Sequence, residues 1–108
     1  MHNIVFFVPE DAKEQVKSAM FAAGAGSVGN YDNCSWEIAG IGQFRPGAGS
    51  SPAVGTEGHL ETITEYRVEM VCPDNKLPEV IRVLLVNHPY ETPAWHVYEI
   101  KTTLKQIK

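Results

Sequence analysis

The stretch HPYETPAWHVY, residues 88–98, places two histidines, two prolines, a glutamate and three aromatics in eleven positions. His88 and Glu91 lie three residues apart, and a neutral imidazole and a carboxylate at that spacing can both reach one divalent cation. The same residues also read as a helix stop. His88 precedes Pro89, which disfavours helical angles at His88, and it would cap the C-terminus of the helix carrying VIRVLLVN, where positive charge is favourable. In that reading Tyr90 packs and Glu91 bonds the turn backbone.

A second candidate is the segment 45–59, RPGAGSSPAVGTEGH, with four glycines, two prolines and no apolar period. Loops of this length usually have a functional reason or are disordered. Glycines let backbone N–H groups turn inward around a ligand, and they also satisfy the turns of a plain hairpin connection. No G-K-S/T follows them, so the segment is not a phosphate-binding P-loop. Taken with the residues that lead into it, from Gly40 to His59, its candidate polar contacts are Gln43, Arg45 and Glu57. His59 could join a metal site from across the sheet, although a lone loop histidine is most often merely exposed.

The remaining chemistry-bearing residues read as structure. Cys34 and Cys72 form no CxxC pair and are expected on the dry faces of strands, where burial raises a thiol pKa and leaves it inert. Glu61, Glu65 and Glu69 share one strand face, where side chains repeat about every 7 Å at period two and these four-residue steps span about 13 Å, with no nucleophile or pocket beside them; a solvated face or an inter-subunit salt-bridge strip is expected. Trp36, Trp95, Tyr66 and Tyr98 are expected in a core or a subunit interface.

Length and composition bound these readings. A chain of 108 residues with 44% apolar and 20% charged residues is one globular domain spanning 1–108. A net charge of −4 with scattered Lys and Arg argues against nucleic acid as a partner. There is no charged segment leading into an apolar one at the start, and no apolar run approaches the ~18 residues that suggest a membrane helix. The expectation is a cytoplasmic domain with reduced thiols and no membrane partner.

The elements that must position the candidates follow from period and punctuation. NIVFFV, residues 3–8, reads as a strand covered on nearly both faces. Asp11 and Glu14 resemble a capping box ahead of a helix whose Ala12, Val16, Ala19, Met20 and Ala23 share a face and which stops at Gly24. Cys34, Trp36 and Ile38 begin a strand, and Gly40 and Gly42 mark a bulge or a close backbone approach. Residues 60–73 form the clearest strand. Its Leu60, Thr62, Thr64, Tyr66, Val68, Met70 and Cys72 face should meet helices, and its Glu61-to-Val71 face is charged. A second helix carries Leu77, Ile81, Leu84 and His88 as a stripe, with Pro78 in its first turn. A last strand begins after Pro93, and the lysines near the end read as a solvated tail. The order is βαββαβ, a ferredoxin-like α+β fold: a four-stranded antiparallel sheet with two helices on one face. The other face needs cover.

GNYDNCSW, GIGQFRPGAGSSPAVGTEG, ETITEYRVEMVCP and HPYETPAWHVY together resemble the YqfO-type insert domain of the Nif-three-like dinuclear-metal-centre proteins, over roughly residues 3–100. The HPYE element also resembles the C-terminal segment of CutA-like divalent-ion tolerance proteins, which share this fold with the PII signalling proteins. The resemblance implies a PII/CutA-like homo-oligomer, a trimer, that buries its sheet. It implies no defined chemistry, and the dinuclear metal ligands of the full-length proteins lie in flanking domains and are not carried over. The expected function is a non-catalytic binding or regulatory module. A small ligand or divalent metal ion would sit between one subunit's glycine loop and its neighbour's HPYE turn, with His88 and His59 as metal contacts and Gln43, Arg45 and Glu91 as ligand contacts. The rival classes are a metal-dependent hydrolase-type enzyme, whose mark would be a metal with three protein ligands and an open position, and a purely structural interaction domain.

Overall fold

A computed structural model describes all residues 1–108. The strands are β1 (His2–Val8), β2 (Trp36–Phe44), β3 (Glu61–Cys72) and β4 (Trp95–Glu99); the helices are α1 (Glu10–Ala22), α2 (Leu77–Asn87) and the short α3 (Leu104–Ile107). The sheet order is β2-β3-β1-β4 and every pairing is antiparallel. This is the expected ferredoxin-like α+β arrangement. No helix is long and apolar enough to cross a membrane.

Strand alternation divides the two faces. Ile4, Phe6 and Val8 of β1 and Val68, Met70 and Cys72 of β3 point to the helices. There they pack against Val16 and Met20 of α1 and Val80 and Leu84 of α2. The face of β3 expected to be dry is the core face only from Tyr66 to Cys72; Leu60, Thr62 and Thr64 at its other end are exposed, beyond the reach of the helices. Val5 is fully buried as well, yet it stands outside that core and is flanked in register by Glu69 and His96. β1 is thus covered on both sides, as its unbroken apolar run implies.

Two local expectations need correction. α1 begins at Glu10 with Pro9 as its N-cap and no side-chain cap, so Asp11 and Glu14 form no capping box. Proline supplies the extended N-cap angle, and Glu10 and Asp11 in the first turn meet the positive end of the helix dipole. Cys34 lies before β2, not on it. Its neighbour Asn33 takes a positive φ of 54°, which ends any extended run there, and the thiol donates to the Asp32 carbonyl at 3.6 Å. The lysine-rich tail contains α3, closed by a capping box in which Thr103 and Gln106 bond each other's backbone.

One ion-pair cluster fastens α1 to the edge strand β2. Lys13 and Lys17 both donate to the Glu37 carboxylate, and Lys13 Nζ also lies 3.8 Å from the centre of the Tyr66 ring. The two ammonium side chains are mostly covered, so the pairing is not the open surface kind that contributes little. The hydrogen bond from Lys13, then that from Lys17, holds the Glu37 carboxyl below the usual carboxylate range, and the same bond raises Lys13. A depressed carboxyl stabilises the fold above its unfolded pKa and loses that contribution as pH falls through its folded value. Glu37→Gln should therefore lower stability at pH 7 by about 1 kcal/mol, or roughly 5 °C in Tm. The gap between wild type and variant should close as thermal melts are moved below the usual carboxylate pKa, ~pH 4.

Candidate functional site

The site forms where β1 ends and the chain comes off α2. Helix α2 stops at His88, which takes extended angles (φ −72°, ψ 136°) as the residue before a proline should. The His88 ring is buried, and both of its nitrogens are engaged. Nε2 lies 2.6 Å from the Phe7 carbonyl oxygen, and Nδ1 accepts the Tyr90 N–H at 3.1 Å. A carbonyl can only accept and an N–H can only donate, so the proton sits on Nε2. Burial pushes the His88 pKa down, with the Phe7 bond a smaller opposing influence. The residue is thus a neutral clamp between β1 and the turn, not the positively charged helix cap that its position suggested. A cation ligated by His88 must displace one of these two bonds.

The clamp sets the turn 88–94 beside the glycine loop of the same chain. The Ser51 N–H donates to Glu91 Oε2 at 2.8 Å, across 40 residues of sequence. The two elements expected to meet across a subunit boundary meet within one chain. Glu91 bonds a turn backbone, as expected, but the backbone belongs to the glycine loop.

Between loop, sheet end and turn lies a pocket of about 350 Å³, at the small end of ligand-sized clefts. Phe7, Phe44, Pro46, Pro52, Val54 and Ala94 line its apolar side. Gln43, Arg45, Glu65, Tyr90 and Glu91 line its polar side. The three residues expected to contact a ligand, Gln43, Arg45 and Glu91, therefore line one cavity. His88 stands behind it, bonded to Tyr90. His59 does not line it, and its N–H closes a turn onto the Thr56 carbonyl. No three His, Cys, Asp or Glu side chains converge as a metal-binding group.

Two pocket residues differ from what the sequence suggests. Alternation along β3 assigns Glu65 to a solvated acidic strip, but it is partly buried and desolvation pushes its carboxyl pKa up. Its place is made by Gly42. A Cβ there would lie 2.2 Å from Glu65 Oε1, so any side chain at position 42 would displace the carboxyl. Gly42 is the close approach foreseen for one of the two glycines, and β2 runs through it in unbroken register with no bulge. Tyr90 packs beside His88, with ring centres 4.9 Å apart, but its hydroxyl is buried with no hydrogen-bond partner. The usable signal was a glycine beside an acid on a neighbouring strand, which is visible only once the β2–β3 register is known.

The order of strands and the single covered face define a ferredoxin-like α+β domain of the CutA type. The CutA divalent cation tolerance protein of Archaeoglobus fulgidus matches it with a TM-score of 0.68 over 99% of this chain and 91% of that one, at 22% identity. At that identity the likeness is one of fold. The chain is homologous to a domain-length part of the Nif-three-like proteins. It is 44% identical over 96 residues, 89% of its length, to a GTP cyclohydrolase 1 type 2 homolog of Mycobacterium tuberculosis. A Bacillus cereus protein related to NIF3 superposes with a TM-score of 0.81 at 36% identity over 94% of the chain. The chain spans about a quarter of each relative, 25% and 26% respectively. No family model matches.

In this geometry His88 ties β1 to the turn through both ring nitrogens. His88→Ala breaks both ring bonds and opens a cavity behind Tyr90, and it should cost about 2–4 kcal/mol in urea denaturation. His88→Gln, which can still donate to the Phe7 carbonyl, should recover part of the loss. A cost below about 0.5 kcal/mol, the scale of an ordinary surface substitution, would contradict the clamp.

Proposed function

We propose that this chain is a non-catalytic binding and regulatory domain that works as a homo-oligomer, a trimer, and holds a small ligand in the pocket between the glycine loop and the HPYE turn. The observation that carries the reading is the Ser51–Glu91 hydrogen bond, which makes the loop one wall of a cavity with Gln43, Arg45 and Glu91 around it. A ligand that touches both loop and turn selects the closed loop state, and the surface presented to partners changes with it.

Assembly is supported by surface that the single chain leaves open. Its accessible area is 6858 Å², against about 5,900 Å² for an ordinary monomer of this mass. The radius of gyration is 15.4 Å, against about 13 Å for a compact domain of this length. Trp36 and Ile38 on the open face of β2 are 57% and 53% exposed, and Tyr98 of β4 lies on the same face. Such a patch usually marks association, and the fold shared with CutA is compatible with three copies shielding one another's sheets.

A divalent metal ion is the alternative occupant, and a metal-dependent hydrolase is the alternative class. The relatives named as GTP cyclohydrolase homologs are what keep the enzyme class in view. In that case His88 would exchange its Tyr90 bond for the metal and His59 would approach from the loop. The low number of convergent ligands favours the non-catalytic reading.

Native mass spectrometry of protein purified without a metal-affinity tag tests both parts. A mass of three times 11.9 kDa with a retained small-molecule or metal adduct is expected. A bare monomer at micromolar concentration would overturn the proposal.

A further inference from the structure

The pocket also indicates the kind of ligand it takes. We infer that it is built for a small organic cation, an ammonium or amidinium group, set between the Glu65 carboxylate and the rings of Phe7, Phe44 and Tyr90, with a hydrogen bond to the Tyr90 hydroxyl oxygen. This rests on the proposed reading of the pocket as a ligand site.

Four observations converge. Glu65 makes no hydrogen bond or ion pair to any residue of the chain. Arg67, on the same strand face, pairs with Glu69 at 3.5 Å and lies over the Phe7 ring at 5.8 Å; it shares a small cleft with Glu65 but makes no ion pair with it. A partly buried carboxylate without a cation carries an uncompensated desolvation cost. Second, the bare Cα of Gly42 leaves that carboxylate its position. Third, the Tyr90 hydroxyl is a buried polar group with no partner. Such groups are rare in folded proteins and call for a ligand or water. Fourth, three aromatic rings line the same cavity, and ring faces attract an organic cation, more strongly where water is excluded.

Other ligand chemistries fit less well. An inorganic dication prefers several oxygen ligands, and no group of three ligating side chains is present. An anion would meet the partly buried Glu65 carboxylate, while the exposed Glu91 is already bonded to the Ser51 N–H. Arg45 is exposed and lies at the mouth, where solvent screens its charge.

The test is an amide NMR titration of the full chain with benzylamine, its neutral analogue benzyl alcohol, and benzoate. Saturable shifts are expected with benzylamine at the amides of Gly42, Glu65 and Tyr90. Benzyl alcohol and benzoate should bind about tenfold more weakly or worse, the scale of one charge-assisted contact. Glu65→Gln should weaken benzylamine about tenfold and benzyl alcohol by no more than about threefold, since a neutral hydroxyl loses no ion pair. Tyr90→Phe should weaken it by roughly threefold to tenfold, and this variant serves if Glu65→Gln fails to fold. Equal binding of benzylamine and benzyl alcohol, or full benzylamine affinity in Glu65→Gln, would overturn the inference. If benzoate or benzyl alcohol shifts those amides and benzylamine does not, the cation is refuted and the ligand pocket stands. If none of the three shifts them, the cation is refuted, and the adduct in the native mass spectrum decides the pocket on its own.

Discussion

One neutral imidazole joins the three parts of the chain on which the site depends. His88 closes helix α2, donates to the carbonyl of Phe7 at the end of β1, and accepts the N–H of Tyr90 in the turn that leads to β4. Each of those contacts has a sequence cause. Pro89 ends the helix at His88. The apolar stripe of α2 turns His88 inward. The buried central strand supplies the carbonyl. With the ring in place, Tyr90 and Glu91 point to the same side as the end of β2, and the glycine loop can fasten to Glu91. Without it, the turn keeps only its far anchor, the Phe7 N–H bond to the Ala94 carbonyl at 3.1 Å, and the pocket wall at Tyr90 and Glu91 loses its tie to the helix end.

The second constraint is the sheet. Two helices cover one face, and the other keeps only the Asn3–Glu69–Arg67 polar contacts and the rings at its margins. β1 tolerates this because, of its two apolar residues on the open side, Val5 is fully buried and Phe7 is partly covered with Arg67 over its ring. β2 does not, and its indole and isoleucine stand in water. The edge strand is held from behind instead, by the lysines of α1 gripping Glu37. The protein thus couples a firm helical layer to an open layer suited to a neighbour. The pocket lies at the end of that open layer, so assembly and ligand binding would act on adjoining surface.

Most of the fold was legible in the sequence because it depends on period and punctuation. The alternation in residues 60–73, the stripe on α2 and the uninterrupted apolar run of β1 each name their own faces. The misreadings fall where a single backbone angle decides. Asn33 in left-handed conformation ends the strand expected to include Cys34, and Pro9 takes the cap expected from Asp11. The loop and the HPYE turn stand out in the sequence, and the structure puts them side by side, with Gln43, Arg45 and Glu91 lining the cavity between them. That both halves come from one chain was not recognisable, because it depends on where β2 and β4 lie in the sheet. Glu65 and Tyr90 were missed for a related reason. An acid at period two reads as solvent-facing until the glycine beside it is known, and a tyrosine after a proline reads as packing until its hydroxyl is found without a partner.

The central claim is that His88 is a neutral, doubly bonded clamp. It is tested most directly by nitrogen-15 NMR of the imidazole ring across a pH titration. The account predicts the Nε2–H tautomer at neutral pH, with a midpoint below the ordinary histidine value of about 6.5. An Nδ1–H ring, a midpoint above that value, or nitrogen shifts that respond to added divalent metal would contradict it.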